Sequence, residues 1–216
     1  MLSFYLDSAD LTEVTPLLRS GLLAGLTTNP TLLQRGGVRN DGIAGLVADV
    51  RAAGAREIFV QAWGADATAL ETRGRWIRSL GDDVVVKVPV TEAGLVAIAR
   101  LTGDGIPVLA TAVYTASQVL PVITSGARYI APYLGRMNDA GRDGLAEVAA
   151  MQAILDACGA ELRVLVASLR SVADVVALAQ MGVTDFTLAP PLWSALATDP
   201  LTAAAVEVFE AASAAG

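Results

Sequence analysis

The sequence predicts a (β/α)8 TIM barrel with an additional C-terminal helix. Eight short apolar runs recur at roughly even intervals along the 216 residues. Each run is followed by a stretch whose apolar residues have helical spacing, which is the pattern of repeated βα units. No linker or low-complexity tract divides the chain. We therefore expect a single domain over residues 1–216 and a closed barrel rather than a doubly wound sheet.

The predicted strands are short runs dominated by apolar residues, many of them β-branched or aromatic, as expected of buried parallel strands. In chain order they cover residues 3–7, 25–28, 57–62, 84–88, 107–113, 128–132, 163–168 and 185–189. The stretches between them have one apolar face, which predicts helices that pack on the outside of the sheet. These helices cover residues 10–20, 41–53, 66–80, 92–101, 116–124, 144–157, 172–181 and 192–196.

Residues typical of helix ends support these boundaries. Three helices have suitable N-terminal residues, namely Ser8 with Asp10, Thr91 with Glu92, and Ser171 with Asp174. Glycines follow seven of the helices, where a left-handed residue commonly ends a helix: Gly21, Gly54, Gly81, Gly103, Gly126, Gly159 and Gly182. Residues 200–212 predict one more amphipathic helix, for packing or for subunit contact.

Composition excludes several classes of function. A net charge of −7 and scattered arginines argue against a nucleic-acid groove or an anionic membrane face, because both require clustered cations. No apolar run reaches the length of a transmembrane helix, and the first residues do not resemble a signal peptide, so we expect a cytoplasmic protein. Cys158 is the sole cysteine, which rules out an intrachain disulfide and a thiolate cluster for zinc.

The chain contains no histidine. This absence removes the usual general base, the Ser-His and Cys-His nucleophile systems and the commonest metal ligand. A zinc-dependent aldolase would need imidazole ligands, so that route to carbonyl chemistry is closed. Any catalysis would use Lys, Asp, Tyr, Gln, Thr or Ser side chains. No residue pattern indicates a cofactor, and a magnesium site stays open as an alternative.

Lys87 is the only lysine beside fourteen arginines, and it lies in the apolar run Val84–Pro89. An arginine stays charged in any protein environment, whereas a lysine taken out of water has a lowered pKa and can attack a carbonyl as a neutral amine. The run therefore indicates Schiff-base chemistry. Two structural alternatives stand beside it: a buried carboxylate could neutralise the amine, or the ammonium group could reach water from a strand end.

Polar residues end nearly every predicted strand, where TIM barrels carry their active sites. They are Asp7, Thr27, Thr28, Asn29, Gln61, Lys87, Thr111, Tyr133, Arg136, Ser168, Arg170 and Thr187. Such a ring predicts mutual hydrogen bonding around a small polar ligand, because unbonded polar groups are costly in a packed barrel. Taken singly, Asp7 with Ser8 could cap a helix and Asn29-Pro30 could form a turn. Arg136 and Arg170 could be solvated charges or phosphate ligands.

At these residues the sequence resembles the small transaldolase-like class I aldolases, especially the fructose-6-phosphate aldolases. The resemblance covers nearly the whole chain and rests on residues 5–10, 25–31, 84–91 with 94–95, 105–107, 111–114, 131–133 with 136, and 167–170. It implies a barrel, a lysine Schiff base, no metal, sugar or sugar-phosphate substrates, and a homo-oligomer such as a decamer of two pentamers. At two positions of the family, true transaldolases typically carry glutamate and phenylalanine, whereas the aldolases carry glutamine and tyrosine. This chain has the aldolase residues there, Gln61 and Tyr133.

The resemblance implies that Lys87 attacks the ketone of a ketose such as fructose 6-phosphate and that Asp7 takes the C4 hydroxyl proton. A water held by Gln61, Thr111 and Tyr133 would assist proton transfer. The remaining expected ligands are Asn29 and Thr27 or Thr28 for the donor hydroxyls, and Arg136, Ser168 and Arg170 for phosphate. Two residues depart from the aldolase pattern and bear on substrate range, Trp63 and Leu169.

Three rival functions are weighed against the aldolase. A transaldolase would pass the three-carbon unit to a second aldose phosphate. A deoxyribose-phosphate-type aldolase commonly uses a second lysine, which this chain lacks. A non-catalytic sugar-phosphate-binding barrel would keep the pocket without needing a reactive amine.

Overall fold

The computed structural model describes residues 2–214 and confirms the TIM barrel, with eight parallel strands closing in chain order and β8 pairing with β1. The strands are β1 Ser3–Asp7, β2 Gly25–Thr27, β3 Glu57–Gln61, β4 Val84–Pro89, β5 Val108–Val113, β6 Tyr129–Pro132, β7 Arg163–Val166 and β8 Asp185–Leu188. Every strand overlaps its predicted range. The predicted C-terminal helix is also present, over Pro200–Ala214.

The helices surround the sheet. They are α1 Leu11–Arg19, α2 Pro30–Arg35, α3 Ile43–Ala52, α4 Ala67–Arg78, α5 Glu92–Gly103, α6 Val119–Thr124, α7 Leu134–Asp139, α8 Gly144–Cys158, α9 Val172–Gln180, α10 Pro190–Ala197 and α11 Pro200–Ala214. The sequence analysis did not predict α2 and α7, two short helices that follow β2 and β6 directly. Both lie at the carboxyl end of the barrel, because that is where each strand leads into its loop.

Most of the observed helix ends agree with those predicted from the sequence. Thr91 and Ser171 cap α5 and α9 with their side-chain oxygens, as predicted. At α1 the cap is Asp10, which accepts a hydrogen bond from the Thr12 amide at 2.9 Å. The prediction of a left-handed residue was wrong for Gly103, which is the last residue of α5; Gly105 takes that conformation instead, with φ of 73°.

Alternation along the strands determines which residues face the mouth of the barrel. Tyr5, Phe59, Val85 and Leu109 belong to the cluster that fills the barrel interior, separate from the apolar layer between sheet and helices. Successive side chains of a strand point to opposite faces, so the residue two positions further along faces inward again. Those next inward residues are Asp7, Gln61, Lys87 and Thr111. The packed middle layer thus carries a polar layer directly above it.

The amino end of the barrel is closed by a second polar layer. The Glu57 carboxylate accepts hydrogen bonds from the hydroxyls of Tyr5 at 2.6 Å and Tyr129 at 2.8 Å. Arg163 pairs with the buried Asp185 and donates to the Tyr129 hydroxyl at 2.8 Å. Burial, and then the neighbouring Glu57, raise the pKa of both tyrosines, so both hydroxyls stay protonated. This layer satisfies the polar groups at the floor without a ligand.

Helix α11 extends from the barrel with its apolar side chains in solvent. Leu201 is 81% exposed, and Val208 and Phe209 are each 65% exposed. None of the residues in α11 is buried. Among residues 2–214, no helix combines the length and the apolar character needed to cross a bilayer.

Gly25 is required where β2 meets β3. A Cβ atom at this position would lie 1.8 Å from the Glu57 carbonyl oxygen, so Gly25→Ala must push the two strands apart. We expect the free energy of unfolding to fall by about 3 kcal/mol, as for severe overpacking. Gly45→Ala is the matched control, because Gly45 lies in α3 with no neighbouring atom within 4 Å and alanine is the better helix former. Denaturant unfolding should rank Gly45→Ala at or above the wild type, and an unchanged Gly25→Ala would contradict the close strand approach.

Candidate active site

Lys87 lies at the bottom of the barrel mouth and is almost completely shielded from solvent. Its side chain is 4% exposed, and its Nζ donates a hydrogen bond to the Thr28 carbonyl oxygen at 2.7 Å. Burial lowers the pKa of Lys87 to about 8; the positive charge of Arg136 adds to this shift and the negative charge of Asp7 opposes it. Within residues 2–214 the amine has no salt-bridge partner. Neither structural alternative, a neutralising ion pair or an ammonium group that reaches water, therefore describes Lys87.

A cavity of about 130 Å³ opens above this amine. It is lined by Asp7, Asn29, Thr31, Leu32, Arg35, Lys87, Tyr133, Arg136, Ala167 and Ser168. Pockets for drug-sized ligands are typically about 300–1,000 Å³, so this space suits a small, polar molecule. Six of the predicted site residues meet here, from β1, β4 and the segments that follow β2, β6 and β7.

Asp7 is held at the cavity by a chain of hydroxyl groups. The Thr27 hydroxyl donates to the Asp7 Oδ1 at 2.7 Å. The Thr27 hydroxyl oxygen lies 2.6 Å from that of Thr187. Because the single hydroxyl hydrogen of Thr27 is used in the bond to Asp7, Thr187 is the donor of this second bond. Thr27 and Thr187 are buried and lie outside the cavity lining. Their hydroxyls fix one carboxylate oxygen of Asp7, which is not needed as a helix cap because Asp10 caps α1.

Thr28 also lies beneath the cavity instead of lining it. Its hydroxyl donates to the Phe59 carbonyl oxygen at 3.0 Å, and its own carbonyl accepts a hydrogen bond from Lys87 Nζ. Of the two predicted donor-hydroxyl ligands, Thr27 thus bonds to Asp7 and Thr28 bonds to Lys87. Both threonines orient a neighbouring reactive group.

Thr111 and Tyr133 form a pair on the opposite side of Lys87. Their hydroxyl oxygens are 2.9 Å apart. The β5–β6 pairing is irregular between Ala110 and Val113, and Ala112 has a left-handed φ of 59°. Burial raises the pKa of Tyr133, and Asp7 adds to this shift, whereas the Thr111 hydrogen bond and Arg136 oppose it. The Tyr133 phenol is therefore protonated at neutral pH and can donate a proton.

Gln61 is adjacent to Lys87 in the sheet, as its register partner on β3. The residue is partly buried, and it is absent from the cavity lining. The side-chain amide of Gln61 makes no hydrogen bond to another residue within 2–214. Gln61 therefore has free hydrogen-bonding capacity next to the amine.

Asn29 links the cavity to α2. Its Oδ1 accepts a hydrogen bond from the Leu32 amide at 3.0 Å and so caps the helix, and Pro30 occupies the first helical turn. Asn29 and Pro30 therefore start a helix, whereas the alternative considered from the sequence was a simple turn. Asparagine at the N-cap followed by proline is a recognised helix start, so a signal for α2 existed. The helix adds Thr31, Leu32 and Arg35 to the cavity lining, none of which the sequence analysis identified.

The three predicted phosphate ligands are not equivalent. Arg136 on α7 lines the cavity with its guanidinium 4.8 Å from the centre of the Tyr133 ring. Ser168 also lines it and has a left-handed φ of 59°. Arg170 lies outside the lining, where both its terminal nitrogens bind the Asp139 carboxylate. The structure therefore brings Arg136 and Ser168 to the cavity and Arg170 to a neighbouring ion pair.

Trp63 and Leu169 do not line this cavity. The Trp63 ring lies 4.2 Å from the Arg73 guanidinium and contacts Trp76 edge to face. It borders a larger depression of about 530 Å³ on the other side of α2, with an apolar lining that includes Leu33 and Val38. That depression contains neither a lysine nor a carboxylate. Leu169 is 7% exposed and packs in the apolar core.

The chain is similar in sequence to known proteins over nearly its whole length. Residues 4–216 match the family model described as "Transaldolase/Fructose-6-phosphate aldolase". A "Probable transaldolase" of Streptococcus agalactiae is 31% identical over 208 residues, covering 96% of this chain and 95% of that protein. A "Probable transaldolase" of Streptococcus pyogenes is also 31% identical over 208 residues, with 96% of both chains covered.

Among solved structures, a flavocytochrome b2 variant superposes with a TM-score of 0.60 at 16% identity. The match covers 87% of this chain and 57% of that one, so the chain spans just over half the length of this structure. Identity this low supports the barrel fold alone. The family follows from the sequence match over nearly the whole length: the chain belongs to the transaldolase/fructose-6-phosphate aldolase family.

Proposed function

We propose that the protein is a metal-independent class I aldolase that reversibly cleaves fructose 6-phosphate, or a similar ketose, to dihydroxyacetone and an aldehyde such as glyceraldehyde 3-phosphate. The observation that carries the proposal is the dry Lys87 amine with a pKa of about 8 at the base of a polar cavity. A lysine with this pKa is roughly one tenth neutral at pH 7, whereas an ordinary lysine is almost wholly charged. A neutral amine is the form that attacks a ketone.

In the first step, the Lys87 nitrogen bonds to C2 of the ketose and the carbinolamine then loses water to give an iminium ion. The Thr28 carbonyl, 2.7 Å from Nζ, orients the amine by accepting one of its protons. The departing hydroxyl needs a proton, and the protonated phenol of Tyr133 can supply it directly or through a water. Thr111, bonded to that phenol, and Gln61, beside Lys87, would hold the water.

In the second step, Asp7 takes the proton of the C4 hydroxyl as the C3–C4 bond breaks. The electron pair of that bond moves into the iminium, which leaves an enamine on Lys87 and releases the aldehyde. Thr27 holds one carboxylate oxygen of Asp7, which leaves the other available to act as the base. Protonation of the enamine at C3, followed by hydrolysis of the iminium, releases dihydroxyacetone and restores Lys87.

Substrate contacts follow from the same cavity. The Asn29 amide nitrogen faces the donor hydroxyls, because its oxygen is engaged in capping α2. Arg136 and Ser168 bind the phosphate of the aldehyde portion. Arg170 has no direct role in this proposal, since Asp139 engages its guanidinium.

A transaldolase is the second candidate, favoured by the names of the Streptococcus relatives. It would share every step up to the enamine and would pass that unit to an aldose phosphate instead of releasing it. Gln61 and Tyr133 support the aldolase, since both can hold a hydrolytic water without adding a carboxylic acid. The exposed apolar residues of α11 support assembly into a homo-oligomer in either case.

The first prediction concerns the covalent intermediate. Borohydride reduction with dihydroxyacetone should attach the three-carbon unit to Lys87, which peptide mass spectrometry can locate because the chain has no other lysine. Lys87→Arg keeps a cation without a titratable nucleophile, and should lower kcat on the order of 10³-fold or more. An unmodified Lys87 would leave only a sugar-phosphate-binding barrel. Turnover that survives in Lys87→Arg would refute the covalent scheme.

The second prediction separates aldolase from transaldolase. Free dihydroxyacetone should appear from fructose 6-phosphate without any acceptor aldose phosphate. Tyr133→Phe should slow this release on the order of 10²-fold, because it removes a proton donor. Tyr114→Phe is the matched control, since Tyr114 contacts the Tyr133 ring from outside the cavity lining. Release that occurs only with an acceptor would identify a transaldolase.

The third prediction concerns pH. The value of kcat/KM for the ketose should rise about tenfold per pH unit below pH 8 and level off above it, as Lys87 loses its proton. Arg136→Gln should move this rise to higher pH, because the Arg136 charge helps to lower the pKa of Lys87. Initial rates between pH 6 and 9.5 would measure both effects. A flat profile from pH 6 to 8 would contradict nucleophilic attack by Lys87.

A further inference from the structure

We propose that Arg35 is a substrate-binding residue that contacts the phosphate group of the substrate from the rim of the barrel opposite Arg136. The inference rests on the proposed function and adds to it a ligand that lies outside the phosphate-binding set expected from the sequence. It also makes α2, together with α7, an element that contributes to the preference for phosphorylated substrates.

Helix α2 holds Arg35 in a fixed place. Asn29 caps its start, and Gly36 follows its end so closely against the first βα loop that a Cβ atom there would lie 2.8 Å from the Ala9 carbonyl oxygen. Arg35 follows Thr31 by four residues and Leu32 by three, which places it on the helix face that lines the cavity. Arg35 thus belongs to a helix anchored at both ends.

The charge of the cavity favours an anion. Asp7 is the one carboxylate in the lining, and Arg35 and Arg136 are two guanidinium groups that stay charged at any working pH. With Lys87 neutral, the lining carries one excess positive charge in a chain of net charge −7. Across residues 2–214 neither arginine forms a salt bridge, whereas Arg170 pairs with Asp139. Two free guanidinium groups on one small cavity are a phosphate-binding arrangement.

The barrel topology puts the two arginines on opposite rims. Helix α2 follows β2 and α7 follows β6, and these strands are four positions apart in a closed ring of eight. Lys87, on β4, lies midway between them. Because both arginines line the same space of about 130 Å³, one phosphate can contact both. The phosphate is then held from two sides while the carbon chain reaches down to Lys87.

The test compares Arg35→Gln with Arg19→Gln in the full chain. Arg19 is a matched control, because it occupies the last turn of α1 as Arg35 does in α2, is also exposed and lies outside the cavity. The first readout is binding of inorganic phosphate, by calorimetry at low ionic strength. We expect Arg35→Gln to weaken binding about tenfold or more and Arg19→Gln to match the wild type. The second readout is the ratio of kcat/KM for fructose 6-phosphate to that for fructose, which should fall at least about tenfold in Arg35→Gln, chiefly through KM.

The double variant Arg35→Gln with Arg136→Gln tests whether both residues contact one phosphate. A combined loss of phosphate affinity smaller than the product of the single losses is expected, since residues that share a ligand are not independent. Phosphate affinity in Arg35→Gln equal to that of the wild type would overturn the inference, as would a wild type that does not bind phosphate. If no variant or wild type releases dihydroxyacetone but Arg35→Gln still loses phosphate affinity, the proposed reaction fails and the role of Arg35 stands.

Discussion

The exclusion of water from one amine is the constraint on which the site depends. Lys87 sits on a strand whose other side chains are apolar, above an interior packed with aromatic and aliphatic residues. Its ammonium form is disfavoured because burial, aided by the charge of Arg136, outweighs the attraction of the Asp7 carboxylate. A pKa near 8 corresponds to about 3 kcal/mol of preference for the neutral form over an ordinary lysine. The lowered pKa thus occurs at the residue from which the proposed reaction needs a neutral amine.

The polar groups around Lys87 are arranged so that each reactive atom is held by a residue outside the cavity. Thr187 and Thr27 hold Asp7, the Thr28 carbonyl orients the amine, and Thr111 holds the phenol of Tyr133. These supporting residues are buried, and the strands that carry them fix their positions. Preorganisation of this kind reduces the rearrangement needed at the moment of reaction. The loops and α2 contribute contacts to the outer parts of a ligand.

The barrel and the reactive amine could be predicted from the sequence because both leave a strong local signal. Repeated βα spacing indicates the fold, and a single lysine in a β-branched run indicates the nucleophile. The hydrogen-bond partners could not be predicted, since they depend on which strands are neighbours and on register. Thr27 thus appeared as a ligand for substrate but bonds to Asp7, and Arg170 appeared as a phosphate ligand but bonds to Asp139. Arg35 was missed because a six-residue helix has too few residues to produce an amphipathic pattern.

The presence of a single lysine has a practical consequence for quantifying the protein. Arginines supply all the other cationic side chains, so a carbonyl reagent small enough to enter the mouth meets one lysine amine per chain. Reagent found on the Lys87 peptide, per mole of chain, would then count reacted sites without a correction for labelled surface lysines.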